Sequence, residues 1–388
     1  RIDVSVDWLP KAASADDLSA PPSTFRYRLT LESAACLGVP LPDGQVRRTR
    51  VDLPGSVLRG ALGTAAATQL EAPRTDATFA ALFDEKAGAR FGFGHPVDVA
   101  GQEPEWALPI TARACKAAGR DHGVVETLFD RISAALATTA EEAWTVEAST
   151  QRTCSSCQSP LRSIDGWRRH RAADVPRRVV TRVALQRHTS SARDGALFST
   201  ELLEPGLVWE GEVHNIPEEA RELLGHAAAC PLYIGRGRSA GWGRARLEVL
   251  EPLPPTSVAE RAERFRAHLA DRLTDTSVNT ALAEGILSFT LTAPFIPEQA
   301  SQDGREQIAE ALGVDIEWLV VARRFGIERG WDQLRGEPRP AVQTVLAGAV
   351  FVGRVPPGSV THAAIEQLEA RGIGLRRHQG FGRLFAFD

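Results

Sequence analysis

The sequence predicts an α+β protein built from two domains of similar construction. Three observations predict it: strand-like segments are interleaved with helical ones, a Pro-rich break divides the chain, and each half closes with a matched Gly-rich loop. The chain has 388 residues, of which 43% are hydrophobic and 24% charged, so it is long enough for two or three globular domains. This composition excludes a disordered or fibrous protein.

Segments in which apolar and polar residues alternate predict the strands. Those that open the two halves are 24–31 and 286–292, and further strands are predicted at 206–213, 244–250 and 384–387. Residues 51–62 are typical of a turn that leads into a helix, with Ser56 as the N-cap. Helices that alternate with antiparallel-type strands favour a pair of ferredoxin-like α+β domains.

The clearest boundary is the Pro-rich segment 251–256. Ser257 and Glu260 then form a capping box, and apolar residues at spacings of three and four predict an amphipathic helix. These apolar residues are Val258, Ala262, Phe265, Leu269 and Leu273. The predicted domains are therefore an N-terminal domain over 1–250 with an inserted segment at about 105–180, a linker and connecting helix over 251–283, and a C-terminal domain over 284–388.

Both halves close with a G-x-G, a short basic stretch and then Gly-aromatic-Gly-Arg. We call residues 232–244 the first Gly-rich loop and residues 372–383 the second; they lie about 140 residues apart. Neither loop contains an acidic residue. Alternate glycines let the backbone approach a ligand closely, and Arg beside an aromatic residue suits a polyphosphate backbone with unstacked bases. The alternative is a tight turn between strands with solvated charges.

Charge is distributed unevenly along the chain. The net charge of -4 argues against a protein whose whole surface coats nucleic acid, but segment 151–195 carries ten Arg against Asp165, Asp174 and Asp194. The alternative for this segment is a solvated insertion in an Arg-rich protein. Residues 1–8 alternate like a strand and do not resemble a secretory signal, and no apolar run is long enough to cross a bilayer. We therefore expect a cytoplasmic protein with no membrane partner.

The five cysteines point to metal ligation or burial rather than to disulfides. Cys154 and Cys157 form a CxxC, and Cys115 and His122 upstream complete a possible tetrahedral set for a structural Zn²⁺. The alternatives are a buried thiol pair and redox activity. Cys36 and Cys230 lie in apolar or Ala-rich contexts, which are typical of core residues.

The sequence offers little for catalysis. It contains no G-x-S-x-G, no HExxH, no P-loop and no HD pair. His95 and His378 are candidates for general acid–base chemistry, but each lacks a paired group at a recognisable spacing, which favours a structural or phosphate-binding role.

Three motifs together resemble the RAMP superfamily of CRISPR-associated proteins: residues 54–62, 235–243 and 372–382. Residues 186–201 and 206–211 are also similar to an internal segment of that family, although Gln186 stands where the family has Asp and Ser191 lies where it has Gly. The resemblance implies two ferredoxin-like domains of the RNA-recognition-motif type, each with a C-terminal Gly-rich loop. The zinc set and the tandem layout are most similar to the Csx-ten family, a Cas-five-like group of type III-D subunits.

This resemblance implies a non-catalytic subunit that caps the 5′-handle end of the CRISPR RNA in a type III effector complex. The implied partners are the CRISPR RNA, the large Cas-ten-like subunit, the backbone Cas-seven-like subunits and, indirectly, the target RNA. Segment 186–195 is expected to form a hairpin that wedges into the guide–target duplex. The residues expected to bind RNA are Arg59, Arg187, Gly235, Arg236, Gly237, Arg238, Trp242, Arg244, Gly374, Arg376, Arg377, His378, Phe381 and Arg383.

Three alternatives stay open at this point. A RAMP endoribonuclease that processes precursor CRISPR RNA would use His378 or His95 as general base. A backbone subunit that cuts target RNA would need an acidic loop residue, and Gln186 and the tandem layout count against it. A zinc-stabilised scaffold that binds only protein would have no affinity for handle RNA.

Overall fold

A computed structural model describes most of the chain. The described residues are 23–39, 46–97, 106–164, 166–167, 175–186, 188–189, 191–252, 256–332 and 337–387. The strand predicted at 1–8, Arg187 and residues 168–171 of the basic stretch 151–195 lie outside this part of the chain. In the described residues, no helix is both long enough and apolar enough to cross a membrane.

The chain is a mixture of α-helices and mainly antiparallel strands, which confirms the α+β prediction. The strands are β1 (Phe25–Leu31), β2 (Gly38–Val39), β3 (Val46–Thr49), β4 (Arg90–Phe91), β5 (His95–Val97), β6 (Ala112–Cys115), β7 (Gly119–Glu126), β8 (Leu161–Ser163), β9 (Arg177–Leu185), β10 (Ala192–Leu203), β11 (Val208–His214), β12 (Leu232–Tyr233), β13 (Arg244–Leu250), β14 (Ile286–Leu291), β15 (Glu317–Ala322), β16 (Phe325–Asp332), β17 (Glu337–Val345), β18 (Val350–Arg354) and β19 (Leu384–Ala386). The helices are α1 (Gly55–Ala67), α2 (Ala77–Phe83), α3 (Leu128–Leu136), α4 (Ala140–Ser149), α5 (Arg221–Ala229), α6 (Val258–Asp275), α7 (Arg305–Leu312) and α8 (His362–Arg371).

The described residues fall into two compact units. The first unit takes its residues from 1–105, 169–253 and 378–380, and the second from 106–168, 254–377 and 381–388.

The main sheet of the first unit has the strand order β12-β13-β1-β11-β4, and β5 also pairs with β11. Along the chain its elements run β1, α1, β4 and β5, β11, α5 and β13. The central strand β1 buries Phe25, Tyr27 and Leu29 completely, because the sheet packs on α1 and α5. Glu210 on β11 is buried too, and its carboxylate accepts a hydrogen bond from Arg28 Nη2 at 2.6 Å. Arg28 and Glu210 lie opposite each other, so this ion pair stabilises the observed register of β1 and β11.

A second sheet of the first unit, with the order β2-β3-β10-β9, contains the long β9–β10 hairpin. The predicted segment 186–195 includes the turn of this hairpin, where the Gln186 amide donates to the Ser191 carbonyl at 2.9 Å. Leu202 on β10 packs with Ala34 and Cys36 in a small buried cluster.

The second unit repeats the element order of the first. Its main sheet has the order β15-β18-β14-β19, and along the chain its elements run β14, α7, β15, β18, α8 and β19. The β16–β17 ribbon is inserted between β15 and β18. Residues of β14 and β18, including Phe289 and Phe351, are fully buried in its core.

Packing divides the chain differently from the predicted domains. The insertion predicted at about 105–180 is divided: residues 106–168 belong to the second unit, where α3 packs on α6 and β15, and the residues from 169 onward belong to the first. The predicted connecting helix α6 is also part of that core: the Phe265 ring lies 5.2 Å from Phe129 and 5.6 Å from Phe387. An apolar helix face predicts that the helix is buried along that face, but it does not predict which surface covers it.

Two predictions about helix starts have different outcomes. The capping box of α6 is confirmed, since the Ser257 hydroxyl accepts from the Glu260 amide at 3.2 Å and all five predicted apolar positions are buried. The N-cap predicted at Ser56 is wrong. Helix α1 begins at Gly55 after Pro54, and no side chain caps it. A Cβ at Gly55 would lie 1.8 Å from the Phe91 carbonyl oxygen, so close packing rather than side-chain capping sets this helix start.

Candidate nucleic-acid interface and metal centre

The two Gly-rich loops have equivalent hydrogen bonds. In the first, the Ile234 amide donates to the Gly243 carbonyl at 2.8 Å, and in the second the Ile373 amide donates to the Gly382 carbonyl at 3.0 Å. The Gly243 amide donates to Ala34 and the Gly382 amide to Pro294, both at 2.8 Å. Each loop is thereby fixed between the last helix and the last strand of its sheet.

The equivalence extends into the middle of each loop. The Arg236 amide donates to the Cys36 carbonyl at 3.0 Å, and the Leu375 amide to the Ile296 carbonyl at 2.9 Å. The preceding Gly235 and Gly374 are required there, because a Cβ would lie 2.4 Å or 2.3 Å from those carbonyl oxygens. Two residues later the backbone is left-handed in both loops, but the second has Arg376 (φ 56) where the first has Gly237 (φ 80).

The basic side chains of the first loop differ in their surroundings. Arg236 is exposed, and its side chain lies beside Gly38. Arg238 is half-buried at the start of a short 3₁₀ turn. Arg244 forms an ion pair with Glu32 at 2.8 Å, so its charge is balanced by the protein. Arg236 and Arg238 are therefore the cations of this loop best placed to meet a ligand.

Trp242, which the sequence predicts to bind RNA, is half-buried, and other residues of the first unit lie against its ring. The Arg182 guanidinium carbon lies 4.4 Å from the ring centre. The ring also lies against Gly237, where a Cβ would approach it to 2.4 Å. Arg182 was not among the predicted site residues, although it belongs to the basic stretch 151–195. A second such pair is formed by Arg47 and Phe198, at 5.2 Å.

The second loop is more buried than the first. Phe381 is 3% exposed, so its ring presents no free face in this structure. Arg383 lies close to the rings of Trp106 and Phe385, at 5.3 Å and 5.1 Å from their centres. Burial, followed by repulsion from Arg371, lowers the pKa of Arg377, whose guanidinium nevertheless stays charged at neutral pH. Arg376 and Arg377 are both half-buried.

The remaining predicted RNA-binding residues are held by contacts within the first unit. The Arg59 guanidinium donates to the Phe83 carbonyl and lies over the Phe83 ring. His378 is buried, with its Nε2 2.9 Å from the Gln379 side-chain nitrogen and 3.7 Å from Glu85 Oε1. His95, the other histidine considered, is buried on β5. The RNA-binding roles of all these residues stay predictions.

The four predicted metal ligands come together in the second unit. Cys115 ends β6 and His122 lies on the neighbouring strand β7, while Cys154 and Cys157 lie in the turn that follows α4. Backbone hydrogen bonds shape this turn: the Cys154 amide donates to Ser159 and the Gln158 amide donates to Cys154. The sequence predicts all four ligands, and the pairing of β6 with β7 and β8 brings Cys115 and His122 beside the CxxC.

The geometry of this cluster fits a tetrahedral metal. All four ligand atoms lie within 4.8 Å of one another; Cys115 Sγ is 3.4 Å from Cys157 Sγ, and His122 Nδ1 is 3.5 Å from Cys154 Sγ. A zinc tetrahedron of sulfur and nitrogen ligands has edges of about 3.5–3.8 Å. Hydrogen bonds from Ser159 and then Cys115 lower the pKa of the Cys157 thiol to about 6, which favours the metal-binding thiolate at neutral pH. The cluster could therefore hold a metal ion.

Comparisons with known proteins give structural neighbours only. No protein-family model matches the chain, and no curated protein matches it. A chain in the cryo-EM structure of the type III-B Cmr-beta complex bound to cognate target RNA has a TM-score of 0.45 and 12% identity, covering 84% of this chain and 86% of that one.

Two further neighbours come from the same kind of complex. One, from the Cmr-beta complex bound to cognate target RNA and AMPPnP, has a TM-score of 0.44 and 11% identity, covering 93% of this chain and 99% of that one. The other, from the apo state of Cmr-beta, has a TM-score of 0.34 and 9% identity, covering 59% of this chain and 98% of that one.

Proposed function

We propose that this chain is a non-catalytic CRISPR RNA-binding subunit of a type III effector complex, a RAMP protein most similar to the Csx-ten family of type III-D subunits. Its role would be to cap the 5′-handle end of the guide. The observation that carries the proposal is the pair of equivalent Gly-rich loops, which have the same hydrogen bonds at the same topological position.

Both loops have the chemistry expected of a nucleic-acid contact. Neither contains a carboxylate, and the first presents exposed Arg236 beside backbone that carries no side chain at Gly235 and Gly237. Guanidinium groups and bare backbone amides recognise phosphate oxygens in a polyanion. The charge of the whole chain is -4, so binding would be confined to such local basic surfaces.

The fold that we propose for each unit is ferredoxin-like. The element order β-α-β-β-α-β supports it in both units, and so does a sheet in which the first strand lies between the third and the fourth. RNA-recognition domains use such antiparallel sheets as platforms for single strands.

The metal we propose for the Cys115, His122, Cys154 and Cys157 cluster is Zn²⁺ in a structural role. Bound zinc would supply a crosslink between β6, β7 and the turn at 154–157, since all four tetrahedral positions are filled by protein atoms. The protein's own residues fix this arrangement through the β6–β7 pairing and the hydrogen bonds of the turn.

The partners that we propose are CRISPR RNA, a large Cas-ten-like subunit and backbone Cas-seven-like subunits, with target RNA contacted indirectly. The burial of His95 and His378 supports a non-catalytic role, because a general base must reach the hydroxyl that it deprotonates.

The test is a titration of labelled CRISPR RNA carrying the 5′ handle against a control RNA with a scrambled handle, with cleavage followed on the same gel. Tight binding that depends on the handle, without cleavage, is expected. Cleavage abolished by His378→Ala or His95→Ala would instead establish a processing endoribonuclease. The absence of binding to either RNA would favour a protein-only scaffold.

A further inference from the structure

A continuous row of alternating cations and aromatic rings crosses the β2-β3-β10-β9 sheet. Arg182 on β9 lies directly opposite Phe198 on β10, and Arg47 on β3 covers the Phe198 ring at 5.2 Å. Arg182 in turn covers Trp242 of the first Gly-rich loop at 4.4 Å. The order across the sheet is therefore Arg47, Phe198, Arg182 and Trp242.

This row continues into the first Gly-rich loop. Trp242 packs beside Cys36, and the Arg236 amide donates to the Cys36 carbonyl. The Arg236 side chain and Cys36 Sγ both lie against Gly38. Arg182 and Arg236 thus border the same small cluster, and Arg47 lies on the Phe198 ring next to Arg182.

The charges of this row are available to a ligand. Nearby acidic side chains have other partners: Glu201 lies 3.6 Å from Arg177 and accepts from the Thr49 amide, and Glu204 lies 3.5 Å from Arg178. Among the described residues, no ion pair neutralises Arg47, Arg182 or Arg236.

A guanidinium that rests on a ring is ordered before it binds. Stacking fixes its plane and leaves its N–H edge for a phosphate, so less side-chain entropy is lost when the contact forms. Trp242, with Arg182 on its ring and Gly237 against it, is better suited to hold Arg182 than to stack on a base.

We propose that Arg47, Arg182 and Arg236 form a phosphate-binding row for single-stranded RNA, in which Phe198 and Trp242 are positioning residues. The proposal rests on the RNA-binding function proposed above, and it extends the site to two arginines outside both Gly-rich loops.

The test uses a labelled single-stranded RNA with the 5′ handle, followed by fluorescence anisotropy over a series of salt concentrations. Arg47→Gln and Arg182→Gln should each weaken binding about tenfold and reduce the slope of log affinity against log salt by about 0.7. Arg264→Gln, at an exposed position on α6, is the charge-matched control and should bind like the wild type.

The positioning role of Trp242 has its own readout. Trp242→Leu should weaken binding as much as Arg182→Gln although it removes no charge, Trp242→Phe should restore most of the affinity, and the Trp242→Leu/Arg182→Gln double variant should bind no more weakly than Arg182→Gln alone. Thermal unfolding checks that each variant is folded. If Trp242→Leu unfolds, Arg182→Lys takes its place, because it keeps the charge and loses the planar stack.

The possible failures are distinguishable. Additive losses in the double variant would show that Trp242 contacts the RNA itself and would overturn the positioning role. Wild-type affinity in both Arg47→Gln and Arg182→Gln would overturn the row, while the proposed function would stand on handle-dependent binding by the wild type. A wild-type chain that binds no RNA would overturn the proposed function and this site with it.

Discussion

Gly243 and Gly382 occupy the same position in two loops that lie about 140 residues apart. Each glycine accepts a hydrogen bond from an isoleucine amide, and a Cβ at either position would lie 1.9 Å or 1.8 Å from the carbonyl oxygen of that isoleucine. No other residue fits so close to a backbone oxygen. The sequence repeat therefore reflects a repeated backbone structure, and the proposed function depends on what these two loops bind.

Gly237 and Gly241 provide a matched pair of substitutions in the first Gly-rich loop. Both have a left-handed backbone, at φ 80 and φ 79, but only at Gly237 would a Cβ meet the Trp242 ring. We expect Gly241→Ala to lower the free energy of unfolding by about 1 kcal/mol and Gly237→Ala by roughly 2–3 kcal/mol, since overpacking adds to the backbone strain. Urea unfolding monitored by tryptophan fluorescence measures both; equal losses would show that Trp242 does not pack on Gly237.

Arg376 and Arg377 test the second Gly-rich loop. The Arg376→Gln/Arg377→Gln variant should bind handle RNA more than tenfold more weakly, and the slope of log affinity against log salt should fall by about 1.4, because two phosphate contacts are lost. The control is Arg74→Gln/Arg264→Gln, which removes two exposed charges elsewhere. A salt slope that stays at the wild-type value in the Arg376→Gln/Arg377→Gln variant would refute the phosphate role of these arginines.

We expect the cluster of Cys115, His122, Cys154 and Cys157 to bind one zinc ion per chain. Native mass spectrometry of the purified protein should show this stoichiometry, and Cys154→Ser or Cys157→Ser should abolish it, because three ligands hold zinc far less tightly than four. Cys230→Ser, which changes a cysteine outside the cluster, should keep the metal. A strong chelator should also lower the thermal midpoint of the wild type, and an unchanged midpoint together with an absence of zinc would contradict the assignment.

The capping box of α6 should make a measurable contribution to stability. Ser257→Ala removes the acceptor for the Glu260 amide, and we expect the free energy of unfolding to fall by about 1 kcal/mol. Ser257→Asp retains an acceptor oxygen and should restore it. Chemical denaturation of the three proteins in parallel provides the comparison; identical midpoints for wild type and Ser257→Ala would mean that solvent satisfies that amide equally well.

Local features of the fold were predictable from the sequence, while its long-range pairings were not. The period-two alternation at 244–250 predicts β13 with its observed bounds, and the spacing of Phe265 and Leu269 predicts the buried face of α6. The same face does not reveal that α6 packs on α3, because any apolar surface of matching shape could cover it. Residues 106–168 therefore fall in the second compact unit, whereas the sequence predicts an insertion at about 105–180 in the N-terminal domain.

The candidate site shows the same division. The Gly-rich loops and the CxxC are local patterns, whereas Arg182 comes to lie on Trp242 only through the packing of a sheet against a loop. The sequence signal for Arg182 is its place in the basic stretch 151–195, just before the predicted hairpin at 186–195. The burial of Phe381 and His378 is a tertiary property that their short loop motif does not encode.

Handle binding by the two Gly-rich loops can be tested by crosslinking with CRISPR RNA that carries a photoreactive uridine at successive handle positions. Mass spectrometry would then identify the crosslinked peptides of the full chain. If the two loops hold the handle, crosslinks will form to both Gly-rich loops, 232–244 and 372–383, and will be lost with a scrambled handle. Crosslinks confined to other parts of the chain, or equal for both RNAs, would contradict handle binding by these loops.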